Sequence, residues 1–265
     1  MSAKIRVSRL QDRLRTRRLG RSVLFSREVD STNKWAKELA MYGAHEGTVV
    51  IVETQTRGRG RLGREWVSPT GGLWFSLILR PELRPAEAVR LTFVAGLAVA
   101  KVLREMFDLK VETKWPNDVL VNGRKICGIL TEMNTTVETV NFVVVGVGVN
   151  ANFDVETVFP EQLKKVATSL ENEIGRKVQL EELFRGLLER LENLYELFTK
   201  EGFNPILKEW KKYADFLGHQ VEVTSPIEKL SGLALDIDHE GALVLKLENR
   251  TIKRVFVGDI SMRTK

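Results

Sequence analysis

Arg57, Arg59, Arg61 and Arg64 alternate with Gly58, Gly60 and Gly63 in the stretch 55–66. Guanidinium groups beside backbone that lacks Cβ atoms can close around an anion, because glycine neither limits φ nor blocks approach. Residues 48–53 and 72–79 on either side are apolar, strand-like runs, so core holds the loop at both ends. The pattern alone leaves two readings, an anion-binding loop or a solvated basic face that touches nucleic acid nonspecifically. It is neither common phosphate loop: no Lys-Ser/Thr follows as in a P-loop, and no helix start follows as in a dinucleotide fold.

A second stretch, residues 111–132, places Lys114, Asn117, Asp118 and Lys125 on or beside a hairpin whose turn is Asn122-Gly123. Lys114 sits in a strand-like segment before Trp115-Pro116, where an unpaired buried ammonium is costly. It is either paired with an acid such as Asp118 or kept for an anionic ligand. Upstream, Ser31, Thr32 and Asn33 precede a helix over 34–41; one side chain suffices as the cap, which leaves two for a ligand. Residues 143–152 read as a buried strand whose glycines admit a neighbouring helix, ending in the polar Asn150 and Asn152.

The elements that position these groups follow from periodicity. Residues 23–29 read as a strand, prolines break the chain at 81 and 85, and 86–107 form a helix apolar almost all round, the spine under a sheet. Residues 153–170 read as a loop. Apolar residues recur at helical spacing over 180–200, and a shorter helix covers 205–213. The period then switches to two at 221–223, 233–237, 242–247 and 251–257, with turns at Ser225-Pro226 and Glu240-Gly241.

At 265 residues and 43% hydrophobic, the chain can fill one large core with a smaller one attached. No run of 18 apolar residues occurs and the arginine-rich start has no apolar centre, so neither a membrane span nor a secretory signal is read, and the cytoplasm is expected. The single Cys127 excludes an internal disulfide and a cysteine-based metal cluster. Residues 1–27 hold nine Lys/Arg and one acid, which leaves −2 for the body against +6 for the whole chain. A basic nucleic-acid-binding body is thereby disfavoured, and residues 1–20 read as a frayed, charged extension.

Five motifs in order resemble those of biotin-protein ligases: Ser31-Thr32-Asn33; Gln55 with Gly58-Arg59-Gly60-Arg61, Gly63-Arg64 and Trp66; Gly71-Gly72-Leu73-Trp74; Lys114-Trp115-Pro116-Asn117-Asp118; and Lys125-Ile126-Cys127-Gly128-Ile129-Leu130. The resemblance implies an α/β (α+β) catalytic domain of class II aminoacyl-tRNA-synthetase-like type with a mixed sheet over 21–215, and a C-terminal SH3-like β-barrel over 216–265. It implies ATP and Mg²⁺ with biotin as substrate, formation of biotinyl-5′-AMP, and transfer to a lysine of a biotin carboxyl carrier protein. By the same resemblance Ser31, Thr32, Asn33 and Gln55 meet biotin, and Arg59, Gly60, Arg61 and Lys125 meet its carboxylate and the phosphates. Lys114 stabilises the transferring phosphoryl group, and Arg64, Trp115, Asn117, Asp118 and Asn150 complete the nucleotide site; no metal ligand is assigned. Some relatives cover the adenine with a tryptophan that residues 153–170 lack, and Phe153 or Phe159 is the expected substitute.

Longer family members carry a DNA-binding domain, which this chain starts too close to Phe25 to hold, so ligase activity without repression or specific DNA binding is expected. Relatives are often homodimers, though no residue pattern here marks the contacting surface. A lipoate-protein ligase is the nearest alternative, disfavoured by Ser31-Thr32, Gln55 and the arginine loop. A nucleic-acid-binding protein working through the basic extension is the second; salt-sensitive binding lost on deleting residues 1–20 would mark it.

Overall fold

The computed structural model describes residues 5–225 and 227–262; Pro226 of the expected turn and the first four residues of the basic extension lie outside the described residues. Strands β1 (Val23–Val29), β2 (Val49–Gln55), β3 (Leu73–Leu79), β4 (Val111–Lys114), β5 (Asp118–Val121), β6 (Arg124–Thr135) and β7 (Val140–Val149) form one sheet in the order β1-β2-β3-β7-β6-β5-β4. β1 and β2 run parallel around the crossover helix Thr32–Met41, and the other neighbours pair antiparallel, so the sheet is mixed as expected.

Strand β7 shows how the sheet sorts its faces. Its side chains alternate with period two. Val143, Val145, Val147 and Val149 enter the main core under the helices Leu91–Phe107 and Leu180–Glu201. Val144 lies on the other face with Val50 and Ile78, beneath Ala36 and Ala40 of the Thr32–Met41 helix. Beyond Val144 that second face carries Gly146 and Gly148 instead of bulk, and there the sheet is open to the site. The core face is tied together by pairs such as Phe75 and Phe184, edge to face at 5.5 Å, each worth about 0.5–1.5 kcal/mol beyond its buried area.

The expected 86–107 helix is broken into Pro85–Ala88 and Leu91–Phe107, and the 153–170 loop contains the short helices Val155–Val158 and Glu161–Lys164. The helix expected over 205–213 spans Phe203–Lys211. The described part of the basic extension is not frayed. Only Val7–Leu10 is helical, yet Leu10, Leu14 and Leu19 are buried in the main core. Carboxylates of the Leu180–Glu201 helix take its backbone: Glu181 accepts from the Arg6 N–H, and Glu192 from those of Arg17, Arg18 and Leu19 at 2.6, 2.7 and 2.9 Å. A reading from charge weighed the arginine side chains, whereas leucines and main-chain amides make most of the attachment, with Arg18 alone of these arginines pairing with Glu46 and Glu196 at 3.7 Å among the described residues.

After Phe216, β8 (Gln220–Thr224), β9 (Lys229–Ile237), β10 (Leu243–Leu247), β11 (Ile252–Val255) and β12 (Asp259–Met262) form an antiparallel sheet in the order β11-β10-β9-β8-β12. The expected 251–257 strand ends at Val255, and β12 was not read from the sequence. Val221, Ile237, Leu245 and Ile260 share the main core. The Trp115 indole N–H donates to the Gly241 carbonyl at 2.9 Å, which pins this module to the large sheet.

Candidate active site

One cleft on the glycine face gathers Ser31, Thr32, Asn33, Gln55, Arg59, Gly60, Arg61, Arg64, Asn117, Asp118 and Lys125. Its floor is a row of cross-strand partners, Trp74 on β3, Gly148 on β7, Gly128 on β6 and Asp118 on β5. The Trp66 indole lies on the two glycines. A Cβ on Gly148 would fall 2.6 Å from Trp66 Nε1, and one on Gly128 would fall 2.9 Å from its ring. Trp66 also meets Trp74 edge to face at 6.2 Å. Lys125 Nζ stands 5.0 Å above the Trp66 ring and 2.7 Å from Asp118 Oδ1. The glycines expected to admit a helix therefore divide their roles: Gly146 admits Asn33 at the helix start, while Gly148 admits an indole.

The arginine loop is folded tightly. Gly60 N–H donates to the Arg64 carbonyl at 2.7 Å, and Trp66 N–H to that of Gly58 at 2.9 Å. A Cβ on Gly58 would meet the Trp66 carbonyl at 2.2 Å, which explains glycine there. Arg61 is half-buried and donates to Asn117 Oδ1 at 3.1 Å, to the Gly258 carbonyl at 3.2 Å and to Asp259 Oδ1 at 3.4 Å. Arg64 pairs with the second Asp259 oxygen at 2.6 Å. Burial lowers the Arg61 pKa, while Asp259 and Asp118 favour the charged form. Asp259 thus joins the C-terminal module to the anion loop. Sequence reasoning missed it because its strand, β12, is four residues long.

At the other end the cleft is uncharged. Ser31 holds the N-cap position of the Thr32–Met41 helix, but its side chain makes no cap bond and has no hydrogen-bond partner among the described residues. Thr32 N–H donates to Gln55 Oε1 at 2.8 Å, and Gln55 Nε2 to Ser68 Oγ at 2.7 Å.

Several expected site residues stand elsewhere. Trp115 is 1% exposed and packs in the main core, because alternation along β4 and past its end puts Val111, Thr113 and Trp115 inward. Asn150 is buried, donates to the Thr168 carbonyl at 2.8 Å, and leaves its Oδ1 without a partner. It backs the 166–168 segment, whose main chain brackets Lys125, rather than lining the cleft. Asn33 reaches the cleft with its amide fully engaged. Phe153 and Phe159 are buried against each other and Trp74, so neither is a lid. Lys114 extends the floor row one strand beyond Asp118, into an adjoining pocket beside Phe216 and Ile260. Asp118 is taken by Lys125, and Lys114 forms no ion pair among the described residues. No group of three or more His, Cys, Asp or Glu among the described residues could hold a metal by itself.

The arrangement combines an uncharged donor–acceptor pocket, an aromatic floor and a cationic rim. Residues 25–150 match the model of the biotin/lipoate A/B protein ligase family, and 216–263 that of the biotin protein ligase C-terminal domain. The chain is 37% identical over 260 residues to the bifunctional ligase/repressor BirA of Bacillus subtilis, covering 98% of this chain and 79% of that one. It is 35% identical over 220 residues to a biotin–acetyl-CoA-carboxylase ligase of Paracoccus denitrificans, covering 82% and 91%. Among solved structures, the Aquifex aeolicus biotin protein ligase in complex with biotin and ATP superposes with a TM-score of 0.78 at 29% identity, covering 92% of this chain and 100% of that one. The chain belongs to the biotin protein ligases of the biotin/lipoate A/B protein ligase family.

Proposed function

We propose that this protein activates biotin with ATP and transfers it to a lysine of a biotin carboxyl carrier domain. The observation that carries the reading is the meeting of an uncharged polar pocket with a cationic loop across one aromatic floor. A ureido ring suits hydroxyl and amide partners, and a valeryl chain suits Trp66, which leads its carboxylate to Lys125 and the arginines. In the first step a carboxylate oxygen attacks the α-phosphorus of ATP, the bond to the β-phosphate oxygen breaks and pyrophosphate leaves. Two anions must approach, so Arg59, Arg61 and Lys125 offset charge that builds on the phosphoryl oxygens. In the second step the neutral carrier lysine amine attacks the acyl carbon, AMP leaves with the bonding electrons, and the nitrogen gives up a proton to solvent.

Mg²⁺ in this reading travels with the triphosphate, since magnesium is commonly held by substrate phosphates and one or two carboxylates; Asp118 is the cleft carboxylate beside Lys125. Lys114, without an ion pair among the described residues and one strand beyond Asp118, is assigned to the departing phosphates. Lys114→Ala is expected to lower the adenylation rate far more than biotin affinity; equal losses in both would remove that role. Residues 21–215 carry the chemistry and 216–265 steady the nucleotide loop through Asp259. Exchange of labelled pyrophosphate into ATP, run with biotin, lipoate or no acid, tests the reading. Exchange with biotin alone supports it, exchange with lipoate alone reassigns the acid, and exchange with neither refutes it.

A further inference from the structure

Behind the uncharged end of the cleft runs a chain of side chains whose proton directions can be worked out one by one. Asn33 Nδ2 lies 3.1 Å from the Leu130 carbonyl and 2.9 Å from Glu132 Oε2, and Lys37 Nζ holds the other Glu132 oxygen at 3.0 Å. Both neighbours of Nδ2 are acceptors, so the amide cannot be flipped, and Oδ1 faces Ser76 Oγ at 2.7 Å. An amide oxygen only accepts, so the one Ser76 hydroxyl proton goes to Asn33. Ser76 Oγ is also 2.8 Å from Thr32 Oγ1, and with its own proton engaged it can only accept there. Thr32 Oγ1 also lies 3.1 Å from Gln55 Oε1. A proton sent there would leave the shorter Thr32–Ser76 contact as two oxygens with no proton between them, so the Thr32 proton points inward to Ser76. The Gln55 amide is oriented by its own bonds, Nε2 donating to Ser68 Oγ and Oε1 accepting from the Thr32 N–H, so its cleft atom Oε1 is an acceptor.

We propose that Ser76, Asn33 and Glu132 are positioning residues that fix the direction of this relay, so that Thr32 Oγ1 and Gln55 Oε1 meet the ligand as acceptors only. The site then selects a ring that presents N–H donors at that edge, as a cyclic urea does, and rejects an isosteric ring oxygen. This assigns Asn33 a role through Thr32 instead of a direct contact, and it rests on the reading of biotin as the substrate acid.

The test is calorimetric titration of biotin and of its cyclic carbamate analogue, in which one ring N–H is replaced by oxygen, into wild type, Ser76→Ala and Glu132→Gln. In wild type two acceptors face the carbamate oxygen and biotin is preferred. Ser76→Ala frees the Thr32 proton from its inward bond, so that it can turn to Gln55 Oε1 in the empty site and to the carbamate oxygen when the analogue is bound. The preference for biotin should fall about three- to tenfold, the worth of one hydrogen bond. Glu132→Gln, at a side chain 26% exposed and so easily tolerated, sets an amide against Asn33 and should lower the preference in the same direction. It decides the matter if Ser76→Ala does not fold. A merely structural role would weaken both ligands equally, and an unchanged preference in the folded variants overturns the relay while leaving biotin as the substrate. A wild type that binds no biotin overturns the functional reading and the relay together.

Discussion

Gly148→Ala places one methyl group against the floor of the cleft. The new Cβ would lie 2.6 Å from Trp66 Nε1, 2.9 Å from Cε2 and 3.2 Å from Cζ2, so the indole must lift by several tenths of an ångström or more. Removing glycine from a strand interior gains about 0.5–1 kcal/mol, while overpacking costs about 1–3 kcal/mol. Net stability should fall by no more than about 2.5 kcal/mol. Binding should suffer more visibly, since the lifted ring fills ligand space and disturbs the Lys125 contact at 5.0 Å, a cation–π pair worth about 0.5–2 kcal/mol. Biotin affinity is expected to weaken about 10- to 100-fold, read by calorimetry with the thermal midpoint beside it. Gly96→Ala is the control: its Cβ meets Trp210 and Ile129 at ordinary contact, 3.4 and 3.5 Å, inside the Leu91–Phe107 helix. It should leave affinity unchanged and add up to about 1 kcal/mol of stability. If Gly148→Ala keeps wild-type affinity, Trp66 is not the floor of the binding site and the reasoning from the glycine row fails.

Asp259→Ala should raise the KM for ATP by about three- to tenfold with little change in thermal midpoint, because partly exposed ion pairs add little stability while Arg61 and Arg64 lose their shared anchor; steady-state kinetics at low and high salt would check it. Burial alone would raise the Glu192 carboxyl, but the three N–H donors of residues 17–19 outweigh it and hold its pKa below the ordinary 4.5. The folded value being depressed, this stabilisation is present above pH 4.5 and is lost as pH falls through the folded value. Glu192→Gln should flatten that acid-side loss and expose Arg17 and Arg18 to trypsin, as mass spectrometry of a limited digest would reveal. Burial pushes the Cys127 thiol far above its ordinary 9.0, so iodoacetamide should label it only after unfolding.

Much of the site was legible because it rests on local chemistry. Arginines among glycines, a capped helix start with surplus hydroxyls and a hairpin bearing Asp118 and Lys125 each announce themselves within a few residues, and these groups do line one cleft. Other expected residues take positions that pattern did not foretell. Trp115 shares a motif with Asn117 and Asp118 but turns into the core by the alternation that continues past β4, Asn33 lines the cleft with its amide taken by groups behind it, and Asn150, at the end of β7, is held by the 166–168 segment. Trp66 was noted only as part of a motif, and no local signal revealed that it would lie on Gly128 and Gly148, which come from strands far along the chain.

Composition and periodicity alone determined a large core with a small β-rich tail, a run of arginines and glycines held between two strands, and a body without net positive charge; the mixed α/β class and the anion-binding reading of the loop came from the motifs that resemble biotin-protein ligases. Those properties depend on residue type and on neighbours within a turn or a strand. Tertiary structure alone decided that Asp259 reaches the arginine loop from the C-terminal module, that leucines dock the basic extension, and that Lys114 stands beside the cleft rather than in it. Each of those outcomes depends on sheet order and register between distant segments, which pattern along the chain does not encode.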